Sequence, residues 1–369
     1  MALNQVGLER LNTATTDKIG ERKNKIINGG MLVNQRGNQS SVTTSVYGLD
    51  RFKVQEAAAV TYDINQSTDT PDGFGNSFHI DIQGAQTNPA APHFMQLMTA
   101  LEGFDVQDFA KGTSEAKQYA VSFYIKTNVT GNYALQITDD NGRSCSQLYT
   151  VSDANWNRYT VIFPADTTGA IDNDNTEGLR LTWHLVVGTD RTSGTMNTTW
   201  AATTTENIAA GQNANVASST SNNWRITGVQ LEVGSVATDF EHRSISDELL
   251  GCYRYFQILS SNTSGGLNAH SRYPILGNGT NSAIWYAYHK ATMRVKPSLV
   301  KSNITTSTMD IFNYSTSGTA TFGNMIMAEG DENHSQITCT TTNNFSTAQI
   351  GSWRWSTNAD CYFAVDSEL

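Results

Sequence analysis

Charge is scarce in this 369-residue chain: charged residues make up 16% of it, against 38% hydrophobic. Long apolar runs are missing as well, and no stretch approaches the roughly 20 residues that a membrane span requires. Together these absences exclude membrane insertion and a charged, disordered chain. Basic clusters are also lacking. With 24 Lys+Arg against 34 Asp+Glu the formal net charge is −10, which argues against nucleic acid as a partner. The one mixed run, Glu21-Arg22-Lys23-Asn24-Lys25, reads as a solvated segment. Residues 1–25 contain no apolar signal core, so secretory export is not expected. The four cysteines, Cys145, Cys252, Cys339 and Cys361, are far apart and form no CxxC pair, which excludes a zinc site of the usual spacing.

What fills the chain is neutral and polar. Thr, Ser, Asn and Gly recur throughout while Pro occurs 6 times. Thr, Val, Tyr and Phe suit strands, and Gly, Asn and Ser suit the turns between them. A length of 369 residues suits two domains and a short extension.

Periodicity then divides the chain. In residues 1–25, Leu3, Val6, Leu8 and Leu11 are spaced for one short amphipathic helix. That segment is too short to be stable alone, so it reads as a helical or extended leader for attachment or oligomerisation. From residue 26 to about 242 the period is two. Phe78/Ile80/Ile82, Val121/Phe123/Ile125, Tyr133/Leu135/Ile137, Tyr159/Val161/Phe163 and Leu179/Leu181/Trp183/Leu185/Val187 each alternate with other residues. One buried and one wet face is the demand of antiparallel sandwich strands. In residues 224–233 the apolar parity changes at Thr227-Gly228, the mark of a β-bulge. Residues 203–223 show no apolar rhythm and read as a long exposed loop. Residues 243–251 read as a connecting helix with Ser246 as N-cap, Asp247 and Glu248 in the first turn and Gly251 as a stop. Residues 252–369 form a second, smaller β-rich domain.

Chemistry-bearing motifs are sparse. Ser114-Glu115-Ala116-Lys117 satisfies S-x-x-K without the partner motifs of serine acyl enzymes. Gly73-Phe74-Gly75 lacks the third glycine of a dinucleotide site. The carboxylate pairs Asp139/Asp140 and Asp172/Asp174 lie in turn-like runs where Asp serves the backbone. A glycosidase pair needs a cleft, and none is signalled; the expectation is a protein that is not an enzyme. Asp172, Asp174 and Thr176 place oxygens at alternate positions, as a structural calcium loop would, but without its glycine and terminal bidentate Glu; an exposed polar turn is the competing reading. No other cofactor is expected. Glycan binding would use aromatic faces, and Trp285, Tyr286 and Tyr288 with Trp353 and Trp355 are the candidates. Alternation puts one face of each cluster in the core and leaves the outward set for a ligand.

Several segments in register resemble one family. Asn28-Gly29-Gly30-Met31-Leu32-Val33-Asn34-Gln35-Arg36-Gly37 is similar to the opening of jelly-roll modules in phage tail-fibre-like proteins. Tyr47-Gly48-Leu49-Asp50-Arg51-Phe52, residues 226–234 (ITGVQLEVG), residues 237–243 (ATDFEHR), Cys252-Tyr253-Arg254-Tyr255-Phe256 and the ending FAVDSEL follow in the same order. The resemblance implies an all-β protein: a carbohydrate-binding-module-like jelly-roll sandwich over 26–242, the helix over 243–251 and the β-domain over 252–369. It further implies a homotrimeric virion appendage, made in the bacterial host cytoplasm, that contacts other virion proteins through residues 1–25 and attaches to host surface polysaccharide. The short leader leaves no long shaft, so a compact receptor-binding appendage is expected. A subunit that binds only virion proteins, and a glycan depolymerase, are the alternatives. Cys339 and Cys361 could pair, whereas assembly in cytoplasm would keep them reduced and buried.

Overall fold

The computed structural model describes residues 22–262, 270–277, 282–302, 309–314, 317–341, 349–355 and 361–369. The leader helix expected near residues 3–11 lies outside them. The chain splits into two compact units, the first ending at Arg243 and the second running Ser244–Leu369.

The first unit is a two-sheet antiparallel sandwich. Numbered along the chain, one sheet has the order β1 (Gln39–Val42), β4 (Thr61–Ser67), β5 (Ser77–Gly84), β13 (Asn223–Val233), β7 (Tyr119–Thr127), β10 (Asn157–Phe163). The other has the order β12 (Ala201–Ala202), β9 (Arg143–Val151), β8 (Gly131–Asp139), β11 (Glu177–Val187), β6 (Phe94–Glu102), β3 (Lys53–Glu56), β2 (Val46–Tyr47). The alternating residues meet between the sheets: Phe78, Ile80, Val121, Phe123, Leu135, Ile137, Leu181, Trp183, Trp224 and Leu231 are all fully buried in one cluster. Each such side chain contributes roughly 1.5–3 kcal/mol when taken from water. Phe123 meets Trp183 edge-on at 5.6 Å and Tyr133 stacks on Tyr149 at 5.6 Å.

The bulge in β13 is real, and it does more than bend a strand. The register against β7 shifts between Thr227 and Gln230, and Gly228 sits at φ +63. Before the bulge β13 pairs with β5 over Asn223 to Ile226. Beyond it the open edge is taken by the segment around residues 24–29. Lys25 N donates to Leu231 O and Val229 N to Gly29 O, both at 2.9 Å. Gly29 is needed because a Cβ there would lie 2.1 Å from Val229 O. Asn24 completes the join, its Oδ1 accepting from Ile26 N and Leu231 N and its Nδ2 donating to Val229 O. Residues 230–243 lock it from outside: Glu241 Oε2 accepts from Asn24 N, Glu232 Oε1 from Thr238 N and Gln230 Oε1 from Glu241 N. Asn28, at φ +61, donates to the carbonyls of Val33 and Asp50. The motifs around Gly29, 226–234 and 237–243 therefore contribute to a latch that ties the start of the sandwich to its end.

Three sequence expectations change here. Val187 does not share the core face with Leu185: a register shift between His184 and Val186 buries Val186 instead. Residues 203–223 are not an exposed loop, since Ile208, Ala209, Ala214, Val216 and Ala217 are buried. The helix, α1 (Ile245–Tyr253), is capped by Ser244, whose hydroxyl accepts from Asp247 N at 3.1 Å, not by Ser246. It passes through Gly251 and belongs to the second unit.

The second unit pairs β14 (Phe256–Asn262), β22 (Cys361–Asp366) and β17 (Ser298–Ser302) in a small sheet. It also closes a six-stranded barrel in the order β15 (His270–Gly277), β16 (Ser282–Tyr288), β20 (His334–Thr341), β19 (Gly318–Gly330), β18 (Met309–Asn313), β21 (Ile350–Trp355). Its core gathers Ile275, Trp285, Met325, Ile337, Cys339 and Phe363. Cys145 and Cys339 are buried free thiols, both pushed up to about 12 mainly by burial. Cys339 is therefore not bridged, and the side chain of its candidate partner Cys361 lies outside the described residues.

Candidate functional site

Alternation along the seven-stranded sheet leaves a second face, opposite the core. Across its ladders Gln55 stands opposite Gln96, Gln96 opposite His184, Met98 opposite Thr182, Thr182 opposite Gln136, and Gln136 opposite Ser146. Outward positions of a sandwich are ordinarily wet. Here Gln96, Met98, Thr182, His184, Gln136 and Ser146 are all buried, so the face is recessed. Part of the shielding comes from the segment mistaken for an exposed loop, because Ile208 and Ala209 pack on Ala134. Where the ladder between β8 and β11 stops, Gln212 replaces it. Its Oε1 accepts from Ala134 N and its Nε2 donates to His184 O.

The polar groups on this face are incompletely satisfied. Gln96 Nε2 donates to Gln55 Oε1 at 2.7 Å, while Gln96 Oε1 has no protein partner. His184 Nε2 lies 3.4 Å from Gln136 Oε1, and His184 Nδ1 has no partner. If Gln136 Oε1 accepts, Nε2 carries the proton and Nδ1 presents a lone pair. Burial, with Arg191 adding repulsion, lowers the His184 pKa to about 3, so the ring is neutral. Arg180 Nη2 donates to Glu177 Oε2 at 2.7 Å and leaves its Nε without a partner. Two acceptors and one donor therefore stand unfilled on one face. Each unfilled buried group costs about 1–3 kcal/mol. Hydroxyls of a ligand, or ordered water, could complete them.

The aromatic candidates separate by parity. Trp285 faces the barrel core, where it meets Phe363 edge-on at 4.9 Å. Its burial corrects its assignment as a glycan contact. Tyr286 and Tyr288 point outward and are exposed. Trp353 and Trp355 lie on β21, and their side chains fall outside the described residues.

The calcium candidates do not converge. Asp174 Oδ1 is taken by the N–H and the hydroxyl of Thr176, at 2.8 and 2.7 Å, which is a polar turn. Among the described residues no group of three His, Cys, Asp or Glu is placed to hold a metal. Asp139 is not a surface turn residue. Its carboxylate serves the turn through Asn141 N and Arg143 N, and also reaches buried Lys111 Nζ at 2.5 Å. Lys111 further meets Asp166 at 3.0 Å, the Gly169 carbonyl and the Trp200 ring, and Arg143 pairs with Asp166. Two cations thus meet two carboxylates in a balanced, filled cluster that pins loops together. Ser114 and Lys117 of the S-x-x-K pattern are both exposed.

No family model and no curated protein matches this chain. Solved structures with a similar course exist at low likeness. The enzymatically active domain of tailspike protein 4 from bacteriophage CBA120 matches with 10% identity and a TM-score of 0.31, over 57% of this chain and 21% of that one. The TmCBM61 structure in complex with β-1,4-galactotriose matches with 11% identity and a TM-score of 0.30, over 57% and 99%. A family 11 carbohydrate-binding module of a Clostridium thermocellum cellulase matches with 12% identity and a TM-score of 0.28, over 55% and 100%. At these values the likenesses assign nothing to the chain, and the class rests on its own ladders and core. The protein is an all-β, two-unit protein: an antiparallel sandwich and a barrel-bearing β-domain.

Proposed function

We propose that this chain is a virion appendage, homotrimeric and of the tail-fibre type, that attaches to neutral polysaccharide on the host surface through the recessed face of the seven-stranded sheet. The observation that carries the binding reading is the cross-strand pair of unfilled acceptors, Gln96 Oε1 and neutral His184 Nδ1, with the open donor Arg180 Nε four residues along the same strand as His184. A sugar both donates and accepts, and its uncharged hydroxyls suit such groups without bringing an unpaired charge into a shielded site. The virion part rests on the motif resemblance. Weak single sites would gain avidity in an assembly. The site has the character of binding rather than catalysis.

The test is a panel of host surface polysaccharides against the full chain. Gln96→Ala should weaken binding roughly tenfold or more, the equivalent of about 1.4 kcal/mol, while Tyr288→Ala should leave the single-site affinity for a short oligosaccharide, which assembly does not raise, unchanged. The reverse pattern would move the site to the barrel. New reducing ends in the same incubation would make it a depolymerase.

A second reading has its own support. Residues that carry the resemblance, among them Gly29, Val229, Glu232 and Glu241, are used in the latch. They therefore mark a fold and not a ligand. A subunit that binds only other virion proteins fits that as well, and silence across the whole panel would select it.

A further inference from the structure

We infer that the outer wall of the six-stranded barrel is the surface through which copies of this chain meet. On that wall Ile350 stands opposite Leu276, Leu276 opposite Ile284, Ile284 opposite Thr338, and Thr338 opposite Ile326. The four ladders join β21, β15, β16, β20 and β19 into one row, four of whose five members are branched aliphatics. The row faces outward, because the residues that alternate with it, Ile275, Ala283, Trp285, Ile337, Cys339 and Met325, fill the core. Leu276, Ile350 and Ile326 each stand about half exposed. Tyr286 and Tyr288 extend the row along β16, and Tyr314, whose N–H donates to Ile350 O, extends it past β21.

Four properties identify the occupant. The row carries no charge, in a chain of net charge −10. Like-charged copies meet with least repulsion through uncharged faces, and this wall offers one. The five-residue row itself offers a sugar little, since Thr338 is its one member with a hydrogen-bonding side chain. Its size suits a protein. Three half-exposed or more exposed tyrosines, at roughly 150–250 Å² per ring, and three half-exposed aliphatics offer on the order of 500 Å². That falls within the range of the largest apolar patch of a single protein, a size at which such patches are often functional. Finally, the row spans five of the six barrel strands. One flat contact cannot cover a belt that wraps most of a cylinder. A closed ring gives each protomer two neighbours on two sectors, and three copies make the smallest such ring.

This inference rests on the oligomeric part of the reading above and is independent of glycan binding. Light scattering after gel filtration of the full chain at about 10 µM should give three times the 40.3 kDa chain mass. The double variant Leu276→Thr with Ile326→Thr retains strand-forming residues. It should raise the concentration at which the trimer half-dissociates at least tenfold, with an unchanged circular dichroism spectrum. Val236→Thr, exposed on the first unit, should leave assembly unaltered. A monomeric wild type, or a double variant that assembles like wild type, overturns the inference. Loss of glycan binding with the trimer intact, by contrast, defeats only the attachment reading.

Discussion

His184 shows how one side chain can carry both a site and a pH dependence. It is fully buried on the face opposite the core, and burial lowers its pKa to about 3 from an ordinary 6.5. Below pH 6.5 the unfolded chain takes up a proton there that the folded chain refuses. Stability is therefore complete above about 6.5 and falls as the pH drops toward 3, at about 1.4 kcal/mol per pH unit for one proton. Denaturant midpoints of wild type and His184→Gln measured from pH 7 to 4 should converge by that slope. A constant offset would show that His184 does not set it. Asp166 acts lower. Burial raises its pKa, but the bonds from Arg143, Thr168 and Lys111 outweigh burial and hold it well below the usual carboxylate range. Its contribution is thus present above about pH 4 and lost below. At the aromatic positions the prediction is one of contrast. Trp285→Ala should cost about 3–5 kcal/mol by emptying the barrel core, whereas Tyr288→Ala should change the melting temperature little; thermal melts of the two decide.

Among the elements, two features each depend on a single residue. Gly29 permits the segment around residues 24–29 to lie against β13, and Gly29→Ala should destabilise the sandwich by about 1–3 kcal/mol or prevent folding. Chemical denaturation of a fragment covering 22–243, which has its own core, would measure it without interference from the second unit. Ser244 caps α1, and Ser244→Ala should remove about 1 kcal/mol from the second unit alone. The bulge at Gly228 was legible from the parity change between Ile226 and Val229, because a strand with one buried face must keep period two. The end of β11 was not. Val187 continues the sequence rhythm, but the register shift after His184 hands the core position to Val186, and a one-residue offset leaves no mark in hydrophobicity. The segment 203–223 escaped for a related reason. Its buried apolar residues are mostly alanines at irregular spacing, held by side-chain amides such as Gln212 and Asn215.

At the scale of the whole molecule, the alternation in Phe78/Ile80/Ile82, Val121/Phe123/Ile125 and Leu179/Leu181/Trp183 was enough to settle an all-β sandwich, since period two is a local property of the strand. The motif segments marked which residues join the start of the sandwich to its end, although not that they do so by hydrogen-bonding around Asn24 and Glu232. The recessed face could not be read in the same way. Gln55, Gln96, His184 and Gln136 are polar residues at outward positions like many others, up to 129 positions apart in the chain. Only strand order and register set them side by side and reveal which atoms lack partners. The barrel belt has the same origin. Sequence alternation fixed that Trp285 and Tyr286 face opposite ways; which of them was inside depended on closure of the barrel. The sequence by itself determined the strands and their two faces, because side-chain direction follows from the backbone period. The tertiary structure decided which faces meet, which stay open and what chemistry each open face presents, because those depend on pairing between strands that no local pattern encodes.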